Sequence, residues 1–330
     1  RAGGMSLFDH LSTEICLTFA AIAGLLLLAN VILLLRKRAD PDRDDTELVL
    51  RVRTWWIIVG CFTFMIAVSR TTAVAFLGFV SFLAFKEFLS LIPTRRADHR
   101  VLFWAYLAIP FQYCWVAIAW YEMFVIFIPV YMFLGLPTRM VLIGETKGFL
   151  RAIGTVQWGL MTTVFSLSHA AMLMMIQPSE SARVTVVWAD EASKASGGAA
   201  LLVLLVLLTQ FNDVAQFCWG KTVGKRKVIP KVSPGKTVGG LIGGVASTVV
   251  LAAFVGPWLT FLDLPRSLLA GLIIGVAGFA GDLSISALKR DLGVKDAGHT
   301  LPGHGGVLDR VDSLTYTAPL FFHFIYYCYG

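Results

Sequence analysis

Charge is scarce in this chain. Asp, Glu, Lys and Arg supply only 15% of its 330 residues, against about a quarter in a soluble domain, which argues against a protein folded wholly in water. With 57% hydrophobic residues and a mean hydropathy of +0.73, most of the chain is built for lipid. The five cysteines, Cys16, Cys61, Cys114, Cys218 and Cys328, are scattered in or beside apolar runs, with no C-x-x-C pair and no cluster with histidine. Neither a zinc site nor a disulfide frame is indicated. The apolar runs also lack strict alternation, which excludes barrel strands and leaves helices to satisfy the backbone in hydrocarbon. The basic residues sit in short loops without an interleaved aromatic surface, so no nucleic-acid partner is expected.

What the sequence does have is a succession of apolar runs, at 15–35, 54–69, 71–92, 101–118, 120–136, 152–176, 199–217, 238–262, 266–281 and 313–330. A hydrocarbon core takes about 20 residues of helix. The expected fold is therefore all-α, a polytopic transmembrane helical bundle of about nine to ten spans with cytosolic catalytic loops. Residues 1–14 form an N-terminal segment in which Arg1 to Gly4, before Met5, reads as an expression scar. Residues 15–198 are N-terminal transmembrane helices, and 199–330 a C-terminal catalytic transmembrane domain. The run 15–35 is followed by Arg36-Lys37-Arg38 and has no small-residue cleavage pattern, so it reads as an anchor. Segment 177–198 is polar and weakly acidic, with no legible motif.

With ten spans and the N-terminus outside, 22 Lys and Arg fall in cytosolic loops and five outside (Arg1, Arg70, Arg183, Lys194, Arg266), with Lys86 inside a span. That asymmetry supports this orientation. Lys86 and Glu87 are costly within a span, about 2.5–3.5 kcal/mol for a charge at its centre, and are expected to face the bundle interior or a polar cavity. Neighbours in sequence do not pair on a helix, so each needs another partner.

Two loops on the predicted cytosolic side carry chemistry. In the second, Asp282, Ser286, Lys289, Arg290 and Gly293 share one helical face with Ile285, Leu288 and Leu292 opposite, an amphipathic helix leaving the membrane. Residues 282–312 hold five aspartates, four Lys or Arg and two histidines. Lipid adhesion would need only basic residues, whereas carboxylates tolerate phosphate only across a cation. The mixture therefore suits a metal-bridged phosphoryl site. Gly303, Gly305 and Gly306, flanking His304, allow the backbone to approach phosphate oxygens. In the first loop, Asp213 precedes Lys221 and the run Lys231-Val232-Ser233-Pro234-Gly235-Lys236-Thr237. Gly235-Lys236-Thr237 does not complete a P-loop, because Pro230 stands where its first glycine belongs and no buried strand precedes it.

The run S-x-L-K-R-x-x-x-x-K-D-x-G-x-x-x-P-G-H-G-G-x-x-D-R-x-D, from Ser286 to Asp312, is similar throughout to the signature of phosphatidate cytidylyltransferases, and S-P-x-K-T at Ser233 to Thr237 resembles that family's other cytosolic stretch. The resemblance covers roughly residues 200–330. It implies transfer of CMP from CTP to phosphatidic acid, giving CDP-diacylglycerol and pyrophosphate. It also implies Mg²⁺, with provision for a second, monovalent cation, and a homodimer in a bacterial inner membrane with its site facing the cytosol. Asp282 and Asp309 are then the expected metal ligands, with Asp213 a further carboxylate facing the site. Lys289, Arg290, Lys295, Arg310, Lys221 and Lys236 would hold phosphates, oriented by Asp296 and Asp312. His304 would donate a hydrogen bond or carry a proton, and Ser233, Thr237, Ser286, Gly303, Gly305 and Gly306 would line the substrates. Family members commonly carry glutamate where Ile285 stands, an aromatic and Glu or Gln at Val238-Gly239, and small residues at Val214 and Gln216. Two alternatives to the cytidylyltransferase are a related CTP-dependent lipid or polyprenol kinase and a catalytically silent paralogue with a transport or scaffolding role. The D-G-x-x-A-R motif of CDP-alcohol phosphatidyltransferases is absent.

Overall fold

The computed structural model describes residues 11–41, 44–92, 99–144, 146–178, 184–186, 196–298, 300–303 and 305–329. Residues 1–10, most of segment 177–198 and His304 lie outside them. Ten long helices and one short one account for most of the described chain. They are α1 (Thr13–Ala39), α2 (Thr46–Val68), α3 (Arg70–Leu91), α4 (His99–Ala117), α5 (Tyr121–Val141), α6 (149–173), α7 (Ser196–Thr222), α8 (Val238–Leu259), α9 (Leu264–Asp291), α10 (Leu308–Val311) and α11 (Leu314–Tyr329). One π-turn interrupts α5 at Phe127–Met132 and another interrupts α6 at Leu160–Phe165. Ile176–Pro178 and Val184–Val186 pair as a small antiparallel ribbon. Among the described residues seven helices (α1, α2, α3, α5, α7, α8 and α9) are long and apolar enough to cross a membrane. The chain is an integral membrane helical bundle, as the composition requires.

Helix ends follow local chemistry. The break between α2 and α3 is a single residue, Ser69, in extended conformation, whose Oγ accepts from Thr72 N at 3.0 Å; one capped residue suffices to restart a helix. Asp263 caps α9 in the same way, with Pro265 in its first turn and Lys289 and Arg290 in its last, complementing the helix dipole. Both chemical loops begin later than the hydropathy suggests. Helix α7 runs on through Asp213 to Thr222, and α9 carries Asp282 and Ser286 without a break to Asp291. Gly293, at φ +70°, then turns the chain, with Val294 N–H on Lys289 O at 2.9 Å, a Schellman closure.

Helix α7 is the centre of the C-terminal half. Two thirds of its apolar window is buried (67%), against 11% for α1 at the periphery. Lipid gives apolar helices no hydrophobic reason to associate, so close packing and polar contacts must hold them. Small residues line the crossing of α8 and α9, where a Cβ on Gly271 would stand 2.7 Å from Ala252 Cβ and 2.8 Å from Val249 Cα. Asn212 on α7 donates to Gly275 O on α9 at 3.2 Å and accepts from Thr248 Oγ1 on α8 at 3.2 Å, and Thr209 donates to Thr317 Oγ1 on α11 at 3.1 Å. Four helices are thus tied at a level adjoining Asp213. Overpacking such a contact costs about 1–3 kcal/mol, so Gly271→Val is expected to lower the thermal midpoint of the detergent-solubilised protein by several degrees, measured by tryptophan fluorescence.

Candidate active site

Three buried or half-buried carboxylates converge from different elements: Asp213 on α7, Asp282 on α9 and Asp312 at the entrance to α11. Their charges act on one another. Burial first, and then the negative charges of Asp282 and Asp213, push the Asp312 carboxyl well above the ordinary carboxylate value. The cluster is held by a few donors. Lys236 Nζ sits 2.6 Å from Asp282 Oδ2 and 3.4 Å from Gln216 Oε1, with the ring of Phe279 beneath it at 4.9 Å. Ser313 Oγ lies 3.1 Å from both oxygens of Asp213, Ser313 N–H donates to Asp312 Oδ1 at 2.7 Å, and Ser286 Oγ donates to Asp282 Oδ1 at 3.1 Å.

Asp213 lies on the walls of two cavities. One, of about 820 Å³, is lined by Arg51, Lys295 and Arg310 among cations, by Asp296, Gly303 and Gly305, and by apolar Trp55, Val214 and Phe217. The other, of about 600 Å³, is lined by Lys221, Lys227 and Lys236, with Gly235, Thr237, Gln216 and Asp282. Three cations on each side and a carboxylate between suit two anionic groups brought together. Among the described residues, two buried donors in these walls have no hydrogen-bond partner, Arg310 Nε and Gln216 Nε2. Lys236 can only donate, so its contact fixes the Gln216 carboxamide with Oε1 toward it and Nε2 free to meet an acceptor.

Asp309, paired with Asp282 by the resemblance, stands in different company. Its Oδ1 takes Lys289 Nζ at 2.7 Å, while Oδ2 accepts Ala297 N–H at 2.8 Å and Gly306 N–H at 3.0 Å. Oδ1 is thus taken by a helix lysine and Oδ2 by the backbone of the glycine loop, where Leu301 and Gly305 bridge and Gly303 (φ +73°) and Gly305 (φ +80°) take the left-handed turn. Arg290 turns to the first loop, its Nε 3.3 Å from Val232 O. Thr237 uses its Oγ1 to cap α8, accepting from Gly240 N at 3.0 Å. Ser233 lies at the turn before Lys236, whose N–H donates to Ser233 O. His304 falls outside the described residues.

The N-terminal half contributes residues that the motifs do not contain. Glu87 on α3 is buried, and it accepts from Thr300 Oγ1 at 2.6 Å and Leu308 N at 2.8 Å. Thr300 and Leu308 supply the partners expected for a charge within a span, whereas Lys86, beside it, is exposed and does not face the bundle interior. Thr54 on α2 donates to Pro302 O at 2.7 Å, and Arg51, paired with Glu47 one turn back, reaches the larger cavity. The one signal for Glu87 in the sequence is its charge in an apolar run, whereas Arg51 reads as one more loop cation.

Fold and site together define a membrane-embedded helical protein with a cation-lined polar centre at its helix ends. The Cytidylyltransferase family model matches residues 49–328, and the chain belongs to that family, among proteins of CTP-dependent nucleotidyl transfer. It is 45% identical over 311 residues to the uncharacterized protein YnbB of Escherichia coli (strain K12), covering 94% of this chain and 98% of that one. It is 42% identical over 135 residues to a phosphatidate cytidylyltransferase of Haemophilus influenzae, covering 39% of this chain and 47% of that one. With the phosphatidate cytidylyltransferase of Bacillus subtilis it shares 45% identity over 113 residues, 34% and 42% of the two chains. The matches to these two enzymes span less than half of their length.

The raised Asp312 value has a signed consequence. A carboxyl whose folded value exceeds its unfolded one contributes stability below the ordinary value near 4 and loses it as pH rises through the raised value. Without divalent cations, the thermal midpoint is expected to fall over that window in the wild type and to fall less in Asp312→Asn, as scanning fluorimetry in detergent across pH 4–8 would read.

Proposed function

We propose that the chain is a phosphatidate cytidylyltransferase, transferring CMP from CTP to phosphatidic acid with release of pyrophosphate. The observation that carries this reading is the position of Asp213 on the shared wall of two cation-lined cavities. The smaller cavity, with Lys221, Lys227 and Lys236, is assigned to the triphosphate. The larger one, with Arg51, Lys295 and Arg310 beside the apolar Trp55, Val214 and Phe217, is assigned to the lipid phosphate. A phosphatidate oxygen is already ionised at neutral pH, so its attack on the α-phosphorus of CTP needs no strong base. Neutralising charge and aligning the two phosphates are the tasks left to the protein.

The donor set fits Mg²⁺. Asp213, Asp282 and Asp312 repel one another, and hard oxygen ligands are what this ion takes, commonly one or two carboxylates completed by water and substrate phosphates. Among the described residues no three His, Cys, Asp or Glu side chains form a ready-made metal group, so this assignment asks the protein for two carboxylates only. We assign Asp282, with Asp213, to hold the ion, and Asp309 to hold Lys289 and the glycine loop. The ion would supply charge neutralisation at the phosphates. Lys236 leans on Asp282 and can turn to a phosphate once that charge is met. We place the site at the cytosolic face of a bacterial inner membrane, where CTP is available and phosphatidate presents its headgroup.

Incubating the purified protein with CTP, phosphatidic acid and Mg²⁺ tests this by following pyrophosphate and CDP-lipid together. Both products are expected, lost on chelation and reduced at least about 100-fold in Asp282→Ala, the usual order for removing one electrostatic stabiliser. Release of CDP without pyrophosphate would mean a lipid kinase, and neither product would mean a silent paralogue.

A further inference from the structure

Glu87 belongs to neither cytosolic loop, and 213 residues separate it from Thr300. It nevertheless makes two hydrogen bonds to the second loop, one from each carboxylate oxygen: Oε1 accepts Thr300 Oγ1 at 2.6 Å and Oε2 accepts Leu308 N at 2.8 Å. The loop is built to receive it. A Cβ on Gly306 would collide with Oε2, and one on Gly298 would stand 3.0 Å from Oε1, so both glycines are needed for close approach. Asp309 holds the other side, through Ala297 N–H and Gly306 N–H. Thr54 fixes the turn between them through Pro302 O. Two carboxylates therefore grip the ends of a segment whose middle, Leu301 to Gly303 with Gly305, lines the larger cavity beside Arg310 and Lys295.

We propose that Glu87 is a positioning residue for the transfer reaction, by which the N-terminal helices set the glycine loop and the entrance of α10 that carries Arg310; this rests on the cytidylyltransferase reading above. Glu87 touches neither cavity, so it acts through the backbone it holds. Charge-assisted hydrogen bonds to a buried carboxylate are among the stronger ones, and a phosphate site set out of register by about 1 Å loses about 100-fold in rate. What the clamp requires is an acceptor for Leu308 N–H and a polar partner for a hydroxyl. A glutamine satisfies both, because its Oε1 can accept from Leu308 while its Nε2 donates to Thr300 Oγ1, the hydroxyl serving as acceptor.

The experiment is steady-state kinetics of the full chain in mixed micelles with CTP, phosphatidic acid and Mg²⁺, combined with hydrogen exchange of the 300–308 amides. Glu87→Ala is expected to lower kcat about 10–100-fold, to leave both KM values within about threefold, and to speed exchange in the loop. Glu87→Gln is expected to recover kcat and protection to within about threefold of wild type. Wild-type kcat in folded Glu87→Ala, or loop exchange unchanged by it, would overturn the proposal. If Glu87→Ala does not fold, Thr300→Val takes its place, with a fall in kcat expected and wild-type kcat and exchange counting against the clamp. A wild-type protein that forms no CDP-lipid defeats the functional reading instead, and the exchange data then decide the clamp by themselves.

Discussion

Placing like charges together at the edge of lipid is the constraint around which this molecule is arranged. Asp213, Asp282 and Asp312 reach one region from three segments, and the charges of the first two raise the cost of ionising Asp312. Nothing in hydrocarbon draws such groups together, so the scaffold must hold them against their repulsion. Lys236 and Ser313 meet the charges directly. Beneath them, Asn212 ties α7 to α8 and α9, and the small residues of α8 and α9 let backbones approach closely enough for those bonds to form.

Around that centre the second loop is shaped less by its own sequence than by what grips it. Asp309 and Glu87 both accept from its backbone, so the glycines serve as places where carboxylates come close. This gives the N-terminal half a part in the site. Helices α2 and α3 bring Arg51, Thr54 and Glu87 to a loop roughly 210–250 residues further along the chain, and a C-terminal half isolated from them would leave its glycine segment held on one side only.

Much of this was legible beforehand in particular residues. The ten apolar runs correspond to the ten long helices, and Glu87 had to find a polar partner because a charge in an apolar run is costly. The placement of Ile285 on the apolar side of α9 also held, for its side chain is fully buried. The helix ends were less legible. Hydropathy falls at Asp213 and Asp282, but backbone hydrogen bonding continues through both, since a carboxylate at a helix end is compatible with helix when other elements shelter it. The grouping of the acids was legible only in part: Asp213 was expected to face the same site as Asp282, whereas Asp282 and Asp309, which belong to one motif, face different partners.

The sequence by itself determined the solvent, the secondary structure class and the two polar segments, because hydropathy, helix capping and glycine spacing are local properties that a chain carries wherever it folds. Only the tertiary structure decided which carboxylates share a field, which oxygens of Asp309 were already taken, and that Glu87 and Arg51 from the first helices belong beside a loop near the other end of the chain. Those are distances between segments far apart in sequence, set by how the helices pack, and the distances, more than the residue types, divide the acids facing the two cavities from those that shape the loop.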